Sequence, residues 1–153
     1  MVIEMKRQIV NEFACGFSAI SENEHFARII AAGFIAQASP TVTQLADVKC
    51  AVSEAVTNCI VHAYPDGGLN NQVKMSLRLY DDNFVAITIS DKGIGIPDVA
   101  AAREPLYTTD TTGERSGMGF AIMESLMDSI RVTSKVGRGT TVTLKLKLGL
   151  PDE

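Results

Sequence analysis

No apolar run in this chain is long enough to cross a bilayer. The longest, residues 26–38, is interrupted by Arg28 and falls short of the roughly 20 residues that a spanning helix needs. Glu4, Lys6 and Arg7 stand where a secretory leader would require unbroken apolar sequence, so no leader is expected. Positive charge is scarce too: 14 Lys and Arg face 18 Asp and Glu, a net charge of −4. Broad affinity for nucleic acid draws on basic surface and is disfavoured, whereas a protein partner is not. Cysteine is sparse and odd in number, and Cys15, Cys50 and Cys59 lack metal-ligand spacing. Cys50 and Cys59 fall among apolar neighbours and read as buried free thiols in a reducing cytoplasm. Repeats, low-complexity tracts and Pro/Gly/Ser-rich linkers are missing. What is there, 153 residues with 46% hydrophobic and 21% charged content, suits one domain with its own core. The expected layout is an extension over residues 1–10, a single domain over 11–148 and a tail over 149–153.

Residues 11–18 alternate, with Phe13, Cys15 and Phe17 on one side, as in a half-buried strand. Ser21-Glu22-Asn23-Glu24 has capping-box spacing and predicts a helix to about Ala38, stopped by Pro40. Thr41-Val42-Thr43-Gln44 predicts a second, longer helix through about His62. Past a turn at residues 65–68, β-rich runs over 73–80 and 84–90 flank Asp81-Asp82-Asn83 as a hairpin. A short helix is expected near 98–103 and a long, Thr-rich loop over 104–116. A helix over 118–128 and a hairpin of 130–136 with 140–148 complete the chain. Together these predict an α+β two-layer sandwich, helices on one face of a mixed, mainly antiparallel sheet.

Three short stretches, in fixed order, carry the chemistry. In the second helix Val48, Val52, Ala55, Val56, Cys59 and Ile60 form a core stripe, while Glu54, Asn58 and His62 recur at i, i+4, i+8 and share another face. A solvated polar face accounts for that pattern. So does a division of labour in which the Asn58 carbonyl binds Mg²⁺ and Glu54 accepts a proton. Asp91-Lys92-Gly93-Ile94-Gly95 follows a strand. It is either a plain turn or a carboxylate that accepts from an exocyclic amine, with glycines letting backbone approach a flat ring. Ser116-Gly117-Met118-Gly119 precedes a helix, whose free N–H groups suit phosphate, and Arg115 beside it could hold a terminal phosphate. A flexible loop with a solvated arginine is the other reading. Gly137-Arg138-Gly139 reads as a hairpin turn, with the Thr140 hydroxyl available to the site.

In this order the motifs resemble the ATP-binding fold shared by gyrase B, Hsp90, histidine kinases and MutL, from about Ser53 to Thr141. Within that fold the text is most similar to the anti-sigma F group of sporulation serine kinases. The similarity is carried by residues 17–28, by Val52-Ser53-Glu54-Ala55-Val56-Thr57-Asn58, by Pro105-Leu106-Tyr107-Thr108-Thr109 and by Glu114-Arg115-Ser116-Gly117-Met118-Gly119-Phe120. The resemblance implies Glu54 as general base, Asn58 as Mg²⁺ ligand, and Asp91 with Thr140 as adenine reader. It further implies that Gly93, Gly95, Thr108, Thr109, Ser116, Gly117, Met118 and Gly119 cradle the nucleotide, Arg115 sits near the γ-phosphate, and Arg28 contacts protein partners. The loop 104–116 would be a lid over ATP. The implied protein is a cytoplasmic homodimer that inhibits a sigma factor of the sigma F type. It would use Mg-ATP to phosphorylate a serine of an anti-anti-sigma protein, without direct contact to nucleic acid or membrane. Residues 1–10, Phe13-Ala14-Cys15 and Asp110-Thr111-Thr112-Gly113 depart from the group's pattern. A nucleotide-gated binding module without kinase activity, and a related stress-response anti-sigma kinase, are the alternatives. A histidine kinase is disfavoured because no phosphoacceptor helix precedes the domain, and a motor subunit because no transducer domain follows Leu148.

Overall fold

Alternation along the strands builds a sheet with one apolar face. The computed structural model describes residues 6–67, 69–104 and 118–150. Strands β1 (Ile9–Ser18), β2 (Gln72–Tyr80), β3 (Phe84–Asp91), β4 (Ser129–Lys135) and β5 (Gly139–Lys147) lie in the order β1-β2-β3-β5-β4. Every pairing among them is antiparallel, so the expected mixed sheet has no parallel pair. The reason is the placement of the last hairpin. β4 runs in the same direction as β3, but β5 turns back into the gap and pairs with both.

Val73, Met75, Leu77 and Leu79 of β2, Val85, Ile87 and Ile89 of β3, and Val142, Leu144 and Leu146 of β5 are buried on the inner face. On β1, Phe13, Cys15 and Phe17 sit opposite Leu77, Met75 and Val73, as their alternation predicts. Helices α1 (Ser21–Ile35), α2 (Val42–Asn58), α3 (Val99–Ala102) and α4 (Gly119–Leu126) complete the described elements. α1 and α2 bury Ala27, Ala31, Phe34 and Ile35 together with Val48, Ala51, Val52, Ala55 and Val56, while α4 adds Phe120 and Met123. Burial of this continuous apolar surface is the main stabilising contribution to the sandwich.

The two capping boxes fare differently. At Thr41 the box forms in full: Gln44 N donates to Thr41 Oγ1 at 3.1 Å and Thr41 N donates to Gln44 Oε1 at 3.0 Å. At Ser21 it does not. The N-cap is Ile20, and Asn23 turns back instead, its backbone N–H to the Ile20 carbonyl and its side-chain amide to the Ser18 carbonyl. These bonds to the end of β1 start the helix one residue earlier and leave Ser21 inside it. α1 then tightens into a 3₁₀ turn over Ala36–Ala38 and stops at Ser39 in a left-handed conformation, φ 52°, just before Pro40. β1 begins at Ile9, two residues ahead of expectation, because Gln8 exchanges bonds with Asp81 and Arg7 stacks on Phe84 and pairs with Asp82.

Gln44 has a second task. Its Oε1 also accepts from Gly149 N at 2.9 Å, and its Nε2 donates to the carbonyls of Lys147 (3.2 Å) and Gly149 (3.1 Å). One side chain therefore starts α2 and fastens the end of β5 to it. Gln44→Ala is expected to destabilise the protein by about 2 kcal/mol, the upper range for a lost cap. Urea unfolding checks this: a midpoint unchanged from the parent would contradict the double role.

Candidate functional site

α2 runs as an α-helix to Asn58 and then widens into a π turn over Cys59–Ala63. The sequence pattern extends the α-helix to His62; the structure interrupts it four residues short. Single π turns of this kind recur at functional sites. This one brings the Ala63 carbonyl to the loop after β3, where Ile94 N donates to it at 3.0 Å. The approach leaves no room for a side chain on Gly93, where a Cβ would stand 2.2 Å from the Ala63 oxygen. Ile94 in turn accepts from Gly137 N at 2.8 Å, and Gly95, at φ 78°, passes beneath the Lys135 carbonyl. Tyr64 secures the same loop: its hydroxyl donates to the Gln72 carbonyl and accepts from Lys92 N, both at 2.7 Å.

Between α2, this loop and α4 lies a cavity of about 380 Å³. Asn58, Cys59, His62 and Ala63 line it from the α2 side, Ile89, Asp91, Gly95, Ile96 and Pro97 from β3 and its loop, Thr140 and Val142 from β5, and Gly119 and Phe120 from α4. Mostly apolar walls with few polar groups are the usual make-up of a small-molecule site. Asp91 supplies the carboxylate. Its Oδ1 accepts from Gly93 N at 2.9 Å and from Thr140 N at 3.2 Å. Burial first, and the nearby Asp91 carboxylate second, hold the Cys59 pKa well above the ordinary thiol value.

Glu54 and Asn58 meet α4 at its first residue. A Cβ on Gly119 would lie 3.2 Å from Glu54 Oε2 and 3.3 Å from Asn58 Oδ1, so glycine there keeps the space in front of both side chains open. Met118 is the N-cap of α4, its carbonyl accepting from Ile122 N at 2.8 Å. Arg28 stands away from the cavity on α1, paired with Glu24 at 3.7 Å and in contact with His25. Both of these partners lie on α1 itself. The structure thus brings Asn58, Asp91, Gly95, Gly119 and Thr140 to one cavity, with Glu54 beside Gly119 and Gly93 packed against Ala63. Thr108, Thr109, Arg115, Ser116 and Gly117 lie outside the described residues.

One expectation is corrected. Cys50 is exposed, whereas Cys59 is buried as expected. In the helix Cys50 points away from the stripe of Val48, Val52, Ala55 and Cys59, so its apolar sequence neighbours do not enclose it. The sequence reading gave no role to Tyr64, to Ser134, or to Phe120 and Val136, which line the cavity. Their roles depend on contacts across the fold, although an aromatic residue just past the helix end is a signal that could have marked Tyr64.

Comparison with known proteins follows from this geometry. The chain matches the histidine kinase-like ATPase domain over residues 17–146. An anti-sigma F factor of Pasteuria penetrans is 49% identical over 144 residues, covering 94% of this chain and 93% of that protein. The chain belongs to the anti-sigma F factor family of histidine kinase-like ATPase domains. A second anti-sigma F factor, from Geobacillus kaustophilus (strain HTA426), is 51% identical over 135 residues, covering 88% of this chain and 91% of the relative. Among solved structures, the RsbU and RsbW domains of a Mycobacterium tuberculosis protein superpose with a TM-score of 0.68 at 20% identity, over 93% of this chain and 34% of that one. That likeness shows the fold. As an ATPase domain, the anti-sigma F fold is an ATP-binding one. Among the described residues no helix is long and apolar enough to cross a membrane.

The thiols offer a direct check of the site. Cys59 is buried, its thiol is pushed toward the protonated form, and reaction goes through an accessible thiolate. Iodoacetamide is therefore expected to label Cys50 at least ten times faster than Cys59, read by peptide mass spectrometry. Equal rates would contradict the burial of Cys59.

Proposed function

We propose that this chain is a cytoplasmic anti-sigma factor and protein serine kinase. It holds a sporulation sigma factor of the sigma F type inactive, and it uses Mg-ATP to phosphorylate a serine on an anti-anti-sigma protein that would otherwise displace it. The observation that carries this reading is the identity of about half the residues with anti-sigma F factors over nearly the whole chain, joined to an apolar cavity with a carboxylate at its edge. The working form is a homodimer, and residues 11–148 are the kinase domain.

In this reading Asp91 accepts from the exocyclic amine of adenine, with Thr140 beside it, while Ile89, Ile96, Phe120 and Val142 exclude water from the ring. Gly93 and Gly95 shape the loop against the base, and Met118 and Gly119 start the helix that faces the phosphates. Thr108, Thr109, Arg115, Ser116 and Gly117 belong to the phosphate side and to a lid over the nucleotide. The cavity suits the cofactor: it is apolar, it ends in one acceptor, and Gly119 leaves open the space next to the Asn58 amide oxygen, a hard ligand for Mg²⁺. Bound Mg²⁺ would supply positive charge to offset that on the transferring phosphoryl group, and Arg115 would add to it. Glu54, on the same edge as Asn58, takes the proton of the attacking serine hydroxyl. Catalysis of this kind is mostly positioning and electrostatics.

Arg28, on α1 and outside the cavity, is the partner contact, and the sigma factor and the anti-anti-sigma protein use overlapping surface near it.

The test is incubation of the protein with γ-labelled ATP and the anti-anti-sigma protein. Transfer to a serine is expected, and Glu54→Gln should slow it by about 10²–10⁴-fold while ATP and sigma binding persist. Wild-type transfer by Glu54→Gln would remove Glu54 as the base. No transfer by the parent at stoichiometric amounts would favour a nucleotide-gated binding module.

A further inference from the structure

Ser134, on β4, has no part in the site as proposed, yet its side chain makes three hydrogen-bond contacts beside it. It sits directly across from Thr140 in the β4–β5 register, on the inner face of the sheet. Ser134 Oγ accepts from Ile96 N at 2.7 Å, lies 3.1 Å from the Gly139 carbonyl oxygen and 2.8 Å from Thr140 Oγ1.

A hydroxyl has one proton and two lone pairs. Ile96 N–H can only donate and the Gly139 carbonyl can only accept. With all three contacts made, the Ser134 proton goes to Gly139, one lone pair takes the Ile96 N–H, and the other takes the Thr140 proton. The direction of the chain is then fixed, from Thr140 to Ser134 to Gly139. Thr140 spends its proton away from the cavity and turns lone pairs alone toward it. Beside it, Asp91 is held by the Thr140 backbone N–H. The wall formed by Asp91 and Thr140 presents acceptors and no donor.

We propose that Ser134 is a positioning residue for base recognition: it orients the Thr140 hydroxyl as an acceptor and ties the loop after Asp91 to β4 through Ile96. The inference rests on the nucleotide reading above. A base edge that offers an amino group satisfies this wall, whereas one that offers a carbonyl oxygen at the same place meets only lone pairs. Adenine has the amino group and hypoxanthine has the carbonyl. Selectivity for ATP over ITP therefore depends on a side chain that touches neither.

Titration calorimetry with Mg-ATP and Mg-ITP tests this on the parent, Ser134→Ala, Ser134→Thr and Thr140→Val. Ser134→Ala should bind ATP about 10-fold more weakly, the loss of roughly one hydrogen bond, and its preference for ATP over ITP should shrink by a similar factor. Ser134→Thr, which keeps the hydroxyl, should stay within about 3-fold of the parent. In the Thr140→Val background Ser134→Ala should change the ATP/ITP preference little, because the group it orients is gone. Parent-like affinity and preference in Ser134→Ala, or equal losses in Ser134→Ala and Ser134→Thr, would overturn the proposal while parent ATP binding left the nucleotide reading intact. A parent protein that binds no ATP would overturn the nucleotide reading itself, and this inference with it.

Discussion

One carboxylate oxygen holds the functional end of this protein together. Asp91 Oδ1 accepts from Gly93 N and Thr140 N at once, so the last residue of β3 fixes both its own following loop and the start of β5. The loop then reaches the π turn of α2 through Ile94 and Ala63, and the β4–β5 turn through Ile94 and Gly137. The end of α2 and the β4–β5 hairpin, distant in sequence, thus meet the loop that this side chain fixes. The same side chain lines the cavity, so in the proposed function what organises the site also reads the base.

The rest of the architecture serves that junction. α2 packs its apolar stripe on the inner face of the sheet, which leaves Glu54 and Asn58 to meet the first residue of α4. Glycine at that residue decides whether the space between them stays open. At the far end of α2, Gln44 binds the exit of β5, so helix and strand are fastened at one end by an amide and at the other by the Asp91 network. A layer held at both ends can keep a phosphate-side group and a base-side group in a fixed relation, as transfer by positioning demands.

Much of this was legible in the sequence because it depends on local rules. Period-two alternation marked the strands, the Thr41–Gln44 box marked the start of α2, and helical spacing put Glu54 beside Asn58. What escaped depends on partners far along the chain. The Ser21 box has the right spacing, but Asn23 finds the end of β1 instead. The π turn has no sequence signature, since it is set by the Ala63–Ile94 bond across the fold. Cys50 was misjudged because its apolar neighbours in sequence are not its neighbours around the helix. Ser134 is invisible until β4 and β5 are in register. The motifs fix which groups are present, and the long-range hydrogen bonds fix what each can do.

The most direct measurement of the central claim is the affinity of Asp91→Asn for Mg-ATP by titration calorimetry, with the fold followed by circular dichroism. The asparagine carbonyl can still accept from Gly93 N and Thr140 N, so the network and the fold are expected to survive. Its amide N–H groups would oppose the adenine amine, and a site built to pair a ligand N–H rejects a mismatched partner strongly. The account predicts an intact fold with ATP affinity lowered by about 100-fold or more. An intact fold with parent-like ATP affinity would contradict it.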